Sequence, residues 1–227
     1  MTEINYYGHS AFEIQLVGLD NRVKTVLIDP WITNPLSKAK VEDFSNKKID
    51  YIIVTHDHSD HLGNAYDICK ITGAKMVGVY ELAEEAEKNG ISAIGGNVGG
   101  RLSIDDLDIV LVPAVHSSEK GVPVGVVVSG RDFTFYHAGD TGVFTDMSII
   151  SELYSPDLAF LPIGGHFTMG IKEAVKAVQL IKPKMVVPMH YNTFEEIKAD
   201  PLAFKSLVES LTKTKVIVVN PGEKIIL

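Results

Sequence analysis

Residues 55–61 read Thr55-His56-Asp57-His58-Ser59-Asp60-His61, and Leu62-Gly63 follow at once. The run stands directly behind Ile49-Asp50-Tyr51-Ile52-Ile53-Val54, a mostly apolar stretch that reads as a buried strand. Such a cluster can be one metal site, parts of two sites, or a solvated polar turn. The His-x-His spacing sets His56 and His58 on one side of an extended or tightly turned segment, which suits one ion. Asp60 and His61 fall on the first turn of the helix expected over 61–72 and face a different point in space. Catalytic zinc takes about three protein ligands and keeps an open position. The run therefore holds too many ligands for one such site and too few for two, and the rest must come from elsewhere in the chain.

The surrounding pattern shows where. Ile4 to Gly8, Ala11 to Val17 and Lys24 to Ile28 read as strands, with a turn at Gly18-Leu19-Asp20-Asn21. A strand near 75–79 and a helix over 81–89, closed by Asn89-Gly90, complete the first half. The second half repeats the scheme: strands Asp108 to Val115, Val122 to Ser129, Asp132 to His137, Asp157 to Ile163 and Met185 to Met189, with helices over Ile171 to Ile181 and Leu202 to Thr212. Two short strands close the chain, and Gly95-Gly96-Asn97-Val98-Gly99-Gly100 reads as a flexible turn, since it lacks the Lys-Ser/Thr of a P-loop. Two β-rich halves that each acquire covering helices predict two sheets packed face to face, a four-layer αββα sandwich in one domain over 1–227. Another α/β arrangement stays open, because pattern alone does not order the strands. Asp29, His56, His116, Asp140 and His190 each stand at or just beyond the end of a strand-like run, where loops let side chains converge on one cleft. His116 then completes a triad with His56 and His58, and His190 completes one with Asp60 and His61. Asp140 bridges the two, so each candidate is used once.

The ordered motifs resemble the metallo-β-lactamase superfamily over nearly the whole chain. Thr55 to Gly63 resembles its signature, and Asp29, Pro113-Ala114-Val115-His116-Ser117, His137-Ala138-Gly139-Asp140-Thr141 and Val187-Pro188-Met189-His190-Tyr191 follow the superfamily's order. The resemblance implies the αββα fold and the same two triads with Asp140 between them. It also implies that Asp29 is a buried carboxylate that orients the histidine loop without binding metal. Gly8-His9-Ser10 and Gly164-Gly165-His166-Phe167-Thr168-Met169-Gly170 are most similar to small metal-dependent hydrolases near the ascorbate-6-phosphate lactonase branch. Histidine at position 58 disfavours the flavodiiron oxidoreductase branch, and the chain has no room for the extra domains of the RNA-processing branches.

Composition narrows the chemistry further. The chain has 45% hydrophobic and 22% charged residues, as an ordinary globular protein does, and a net charge of −8 disfavours a nucleic-acid surface. No apolar stretch reaches membrane-spanning length, and a cytoplasmic location is the default. The lone Cys69 excludes an internal disulfide and reads as a small buried residue. The expected activity is hydrolysis of a small ester or lactone, with or without a phosphate group, by a hydroxide shared between two divalent ions. Zn2+ is the first choice, and Mn2+, Fe2+ or Ni2+ fit the same nitrogen and oxygen ligands. A phosphodiesterase or small nuclease on the same site is the alternative, and a non-catalytic metal-binding protein is a third reading. The partner is a small-molecule substrate, with no nucleic acid and no membrane, and a homo-oligomer is compatible with the sequence. Asp60 is expected to double as proton acceptor for the attacking water, and His166 to contact substrate or protonate the leaving group. His9 is expected in a structural role, and His137 either beneath the metals or in solvent.

Overall fold

Burial alternates along the first strand, where Ile4 and Tyr6 point inward while Glu3, Asn5 and Tyr7 are half-exposed. The computed structural model describes residues 2–104 and 106–227. The strands are β1 (Glu3–Gly8), β2 (Ala11–Val17), β3 (Val23–Ile28), β4 (Tyr51–Ile53), β5 (Lys75–Val79), β6 (Ala93–Gly96), β7 (Arg101–Ile104), β8 (Leu107–Pro113), β9 (Val124–Ser129), β10 (Thr134–His137), β11 (Leu158–Pro162), β12 (Met185–Met189), β13 (Lys215–Val216) and β14 (Lys224–Ile226). They form two seven-stranded sheets, ordered β14-β1-β2-β3-β4-β5-β6 and β13-β12-β11-β10-β9-β8-β7. In each sheet one half pairs antiparallel and the other parallel, with the change at β3–β4 and at β10–β11. The two halves thus share one topology although their sequences show no repeat.

The sheets meet face to face. The rings of Phe12 on β2 and Phe160 on β11 lie 4.3 Å apart, and both are fully buried. Burial of a side chain that size contributes about 1.5–3 kcal/mol. Helices α2 (Ala65–Thr72) and α3 (Tyr80–Lys88) pack on β5, with α3 also on β6; α5 (Ile171–Ile181) packs between α4 (Met147–Tyr154) and α6 (Pro201–Leu211), and α6 reaches β13. This is the expected αββα sandwich. Among the described residues, no helix is long and apolar enough to cross a membrane.

Three local features differ from the sequence reading. The helix expected over 61–72 is split into α1 (Ser59–Leu62) and α2, with Gly63 at φ 45° between them. The break is tertiary in origin: a Cβ on Gly63 would stand 2.5 Å from the Trp31 Cα, and Asn64 N–H donates to the Pro30 carbonyl at 2.9 Å. This close approach brings the Asp29 loop beneath the histidine loop. Gly95 and Gly96 belong to β6 and pair with β5, so only residues 97–100 form the turn. Finally, α4 and β7 are present where no element was expected.

Gly63→Ala is expected to destabilise the protein by at least about 2 kcal/mol, because it combines a left-handed backbone with overlap against main chain. The midpoint of a urea unfolding curve measures this, and a change below about 0.5 kcal/mol would refute the tight contact.

Candidate metal centre

Four expected ligands and the supporting Asp29 follow strand ends, which the pairings of the two sheets bring together, while Asp60 and His61 stand on α1. Asp29 follows β3, His56 follows β4, His116 follows β8, Asp140 follows β10 and His190 follows β12. Asp29, at φ 45°, and His190, at φ 53°, hold left-handed backbones. That conformation costs of order 1–3 kcal/mol in a non-glycine residue and tends to cluster at functional sites.

Two groups of donors result, and a third, of His56, His61 and Asp140, overlaps them. Ligand atoms of His56, His58 and His116 lie within 4.8 Å of one another, and so do those of His9, Asp60, His61 and His190. Asp140 spans the groups, since its carboxylate is 3.1 Å from His61 Nε2, 3.1 Å from His190 Nε2 and 3.5 Å from His116 Nε2. Yet His61 Nε2, Asp140 Oδ1 and His190 Nε2 make no hydrogen bond, although all are buried. Buried polar atoms are almost always paired. Nitrogens and oxygens this close and still unpaired fit a cation placed among them.

The supporting shell accounts for the loop geometry. Asp29 Oδ1 accepts Thr55 N–H at 2.8 Å, while Oδ2 accepts the Thr55 hydroxyl at 2.8 Å and His61 Nδ1–H at 2.7 Å. With Nδ1 protonated, His61 Nε2 is left as the lone-pair donor toward a metal. Asp57 lies outside both donor groups: its Oδ1 accepts the Ser118 hydroxyl and Glu119 N–H, at 2.8 and 2.9 Å, and so ties the 117–119 loop to the histidine loop beside His116. Thr141 Oγ1 accepts Val115 N–H at 2.9 Å, fixing the His116 segment to the Asp140 loop.

Of the remaining histidines, His137 is buried. Its Nδ1 accepts Gly139 N–H and its Nε2 lies 3.1 Å from the Ser10 carbonyl, which fixes a neutral Nε2–H ring beneath the site. His9 is also buried, with Nε2 3.1 Å from Asp60 Oδ2. His166 is exposed, its ring against Phe167, and it is not brought to the ligands. The cavity over the centre holds about 270 Å³ and is lined by His58, Asp60, His116, Ser117, Asp140, Phe167 and His190. Phe167 thus takes the wall position expected for His166.

The electrostatics divide the donors. Burial pulls His56 down to about 3 and also lowers His116, so both are neutral at pH 7 without a metal. Burial works against charge on His190 too, but Asp140 and Asp60 outweigh it and raise its pKa to about 9. His61 is likewise raised, because Asp140 and Asp29 outweigh its burial, and the same contact holds Asp140 well below the carboxylate range. A metal takes neutral imidazole. Below about pH 9 an ion entering beside His190 must therefore displace a proton, whereas His56 and His116 have none to give. The raised His190 pKa also stabilises the metal-free fold fully below its unfolded value of about 6.5, and this contribution is lost as pH rises through about 9. If each group holds an ion, the expected outcome between pH 7 and 9 is one metal affinity that climbs by up to about tenfold per pH unit for each proton displaced and another that stays nearly flat. Competition with a chelator at several pH values measures both; two equally flat affinities would refute the division.

A two-sheet sandwich with histidines and aspartates gathered at its strand ends defines the metallo-β-lactamase fold. The model of the beta-lactamase superfamily domain matches residues 24–191, and the chain belongs to that family. A UPF0173 metal-dependent hydrolase of Staphylothermus marinus is 65% identical over 223 residues, covering 98% of each chain. The solved structure of Igni18, a metallo hydrolase of Ignicoccus hospitalis, is 47% identical, superposes with a TM-score of 0.93 and covers 99% of this chain and 98% of its own. An isothiocyanate hydrolase from Delia radicum gut bacteria shares the fold at a TM-score of 0.76 and 17% identity, covering 99% of this chain and 98% of its own. With these relatives, the chain is a metal-dependent hydrolase.

Proposed function

We propose that the protein hydrolyses a small ester or lactone at a two-metal centre. His56, His58 and His116 would hold one ion, Asp60, His61 and His190 the other, and Asp140 would reach both. The observation that carries this reading is the set of buried, closely spaced and unpaired atoms His61 Nε2, His190 Nε2 and Asp140 Oδ1. When bound, two divalent ions supply a water of lowered pKa, from near 16 towards about 7, and polarise the scissile carbonyl. The chain's own residues do the rest. Burial favours the neutral form of Asp60, but the neighbouring His190 and the hydrogen bond from His9 outweigh it and hold the carboxyl well below its usual range. Held in this way by His9, Asp60 would bind metal and orient the attacking water.

The cavity supports a compact, uncharged substrate. Its lining includes Phe167, which is 54% exposed and available to an acyl or ring carbon, and among the described residues it includes no lysine or arginine. A phosphate there would meet the metals and the Ser117 hydroxyl, with no cationic side chain of the described lining to pair its charge. His166 could reach only a substrate that extends past Phe167.

A panel of lactones, carboxylic esters, their phosphorylated analogues and a chromogenic phosphodiester tests the reading after reconstitution with zinc, manganese, iron(II) or nickel. Turnover is expected on uncharged esters or lactones. Preference for the phosphodiester would overturn the reading in favour of a phosphodiesterase, and no turnover with any metal would favour a binding protein.

A further inference from the structure

We propose that His9, itself held by Thr193, is a positioning residue that orients the Asp60 carboxylate for the second metal position. This rests on the two-metal reading above.

His9 stands in the turn between β1 and β2, and its backbone adopts a left-handed φ of 55° that a non-glycine residue rarely takes. The conformation is anchored from both sides. The His9 carbonyl accepts His190 N–H at 2.9 Å and the Tyr6 hydroxyl at 3.1 Å. The ring is fully buried, 4.0 Å from the His190 ring, with Trp31 and Phe194 edge-on at 5.2 and 5.7 Å. A single residue therefore fixes the backbone of one ligand, His190, and touches the side chain of another, Asp60.

Both ring nitrogens are engaged. Nε2 lies 3.1 Å from Asp60 Oδ2, and Nδ1 lies 2.9 Å from Thr193 Oγ1. An ionised carboxylate only accepts, so Nε2 must carry the proton and Nδ1 must accept from the threonine hydroxyl. The chain of donors runs Thr193 Oγ1–H to His9 Nδ1, then His9 Nε2–H to Asp60 Oδ2. The same Oδ2 stands 3.8 Å from His190 Nε2, so His9 holds the Asp60 oxygen that faces the second donor group. His61 Nε2 and His190 Nε2 behave differently, since neither has a hydrogen-bond partner. That contrast assigns His9 to act through Asp60. Its nitrogen also falls within the 4.8 Å donor group, which makes direct ligation the competing arrangement.

Cobalt(II) titration of the metal-free full-length protein separates these roles, reading d–d absorption together with metal content by mass spectrometry. Wild type is expected to take up two equivalents. His9→Phe keeps the ring packing and removes the donor; it should bind the first equivalent normally and the second about 10- to 100-fold more weakly. His9→Gln places an amide N–H where Nε2–H was and should recover most of that loss with an unaltered absorption spectrum. Thr193→Val, which leaves the imidazole in place, should weaken the second equivalent by a smaller factor. Native affinity for both equivalents in His9→Phe would overturn the proposal. A glutamine variant as weak as the phenylalanine variant, or with a changed spectrum, would overturn it in favour of direct ligation or packing. Should His9→Phe fail to fold, Thr193→Val carries the test, and unchanged second-site affinity there overturns the proposal. Uptake of a single equivalent by wild type would overturn the two-metal reading itself, and this role of His9 with it.

Discussion

Asp140→Asn should lower kcat/KM on the best substrate of the panel by about 1,000-fold or more, equivalent to about 4 kcal/mol of transition-state stabilisation. The substitution keeps the shape of the side chain and removes its charge, so the fold is expected to survive. The Asp140 oxygens face donors of both triads, at 3.1 Å from His61 and His190 and 3.5 Å from His116. Two cations held on these groups would lose the negative charge that screens their repulsion, and the neutral amide oxygen is a weaker ligand. Steady-state kinetics with metal analysis on the same sample checks this outcome. Activity within tenfold of wild type, with metal content unchanged, would show that Asp140 does not join the two positions.

Asp29→Ala should destabilise the fold by about 3–5 kcal/mol and weaken metal binding about 10- to 100-fold. Asp29 is completely buried and accepts three hydrogen bonds, from Thr55 N–H, the Thr55 hydroxyl and His61 Nδ1–H. Its removal leaves three buried donors unpaired and frees the His61 ring to rotate or change tautomer. The loss of stability and the loss of metal affinity thus share one cause. Urea unfolding of the metal-free protein isolates the first effect, and chelator competition the second. A destabilisation below about 1 kcal/mol, typical of a surface pair, would contradict the buried role.

The strand-end positions of Asp29, His56, His116, Asp140 and His190 are legible in the sequence because each follows an apolar run that can only be a buried strand. The two covering helices at Ile171 and near Leu202 are equally plain, since their apolar spacing and stops are local. What is hidden depends on distant contacts. The break at Gly63 comes from the Trp31 backbone lying against it, which no window around residues 61–72 contains. His9 meets Asp60 and Thr193 from 51 and 184 positions away, so its place in the centre has no local sign. Asp57 stands in the signature itself, yet its partners lie in the 118–119 loop, and nothing beside it announces that tie. Helix α4 is a different case: Met147 and Ile150, both buried, follow Asp146 at helical spacing, so its signal is local but short.

The central claim is that one chain holds two ions on two triads joined by Asp140. The most direct measurement is anomalous diffraction from crystals of the zinc- or manganese-loaded protein, combined with metal content per chain in solution. Two peaks are expected, one among His56, His58 and His116 and one among Asp60, His61 and His190, with Asp140 in contact with both. A single peak at full metal loading, or a second ion held by residues outside this set, would contradict it.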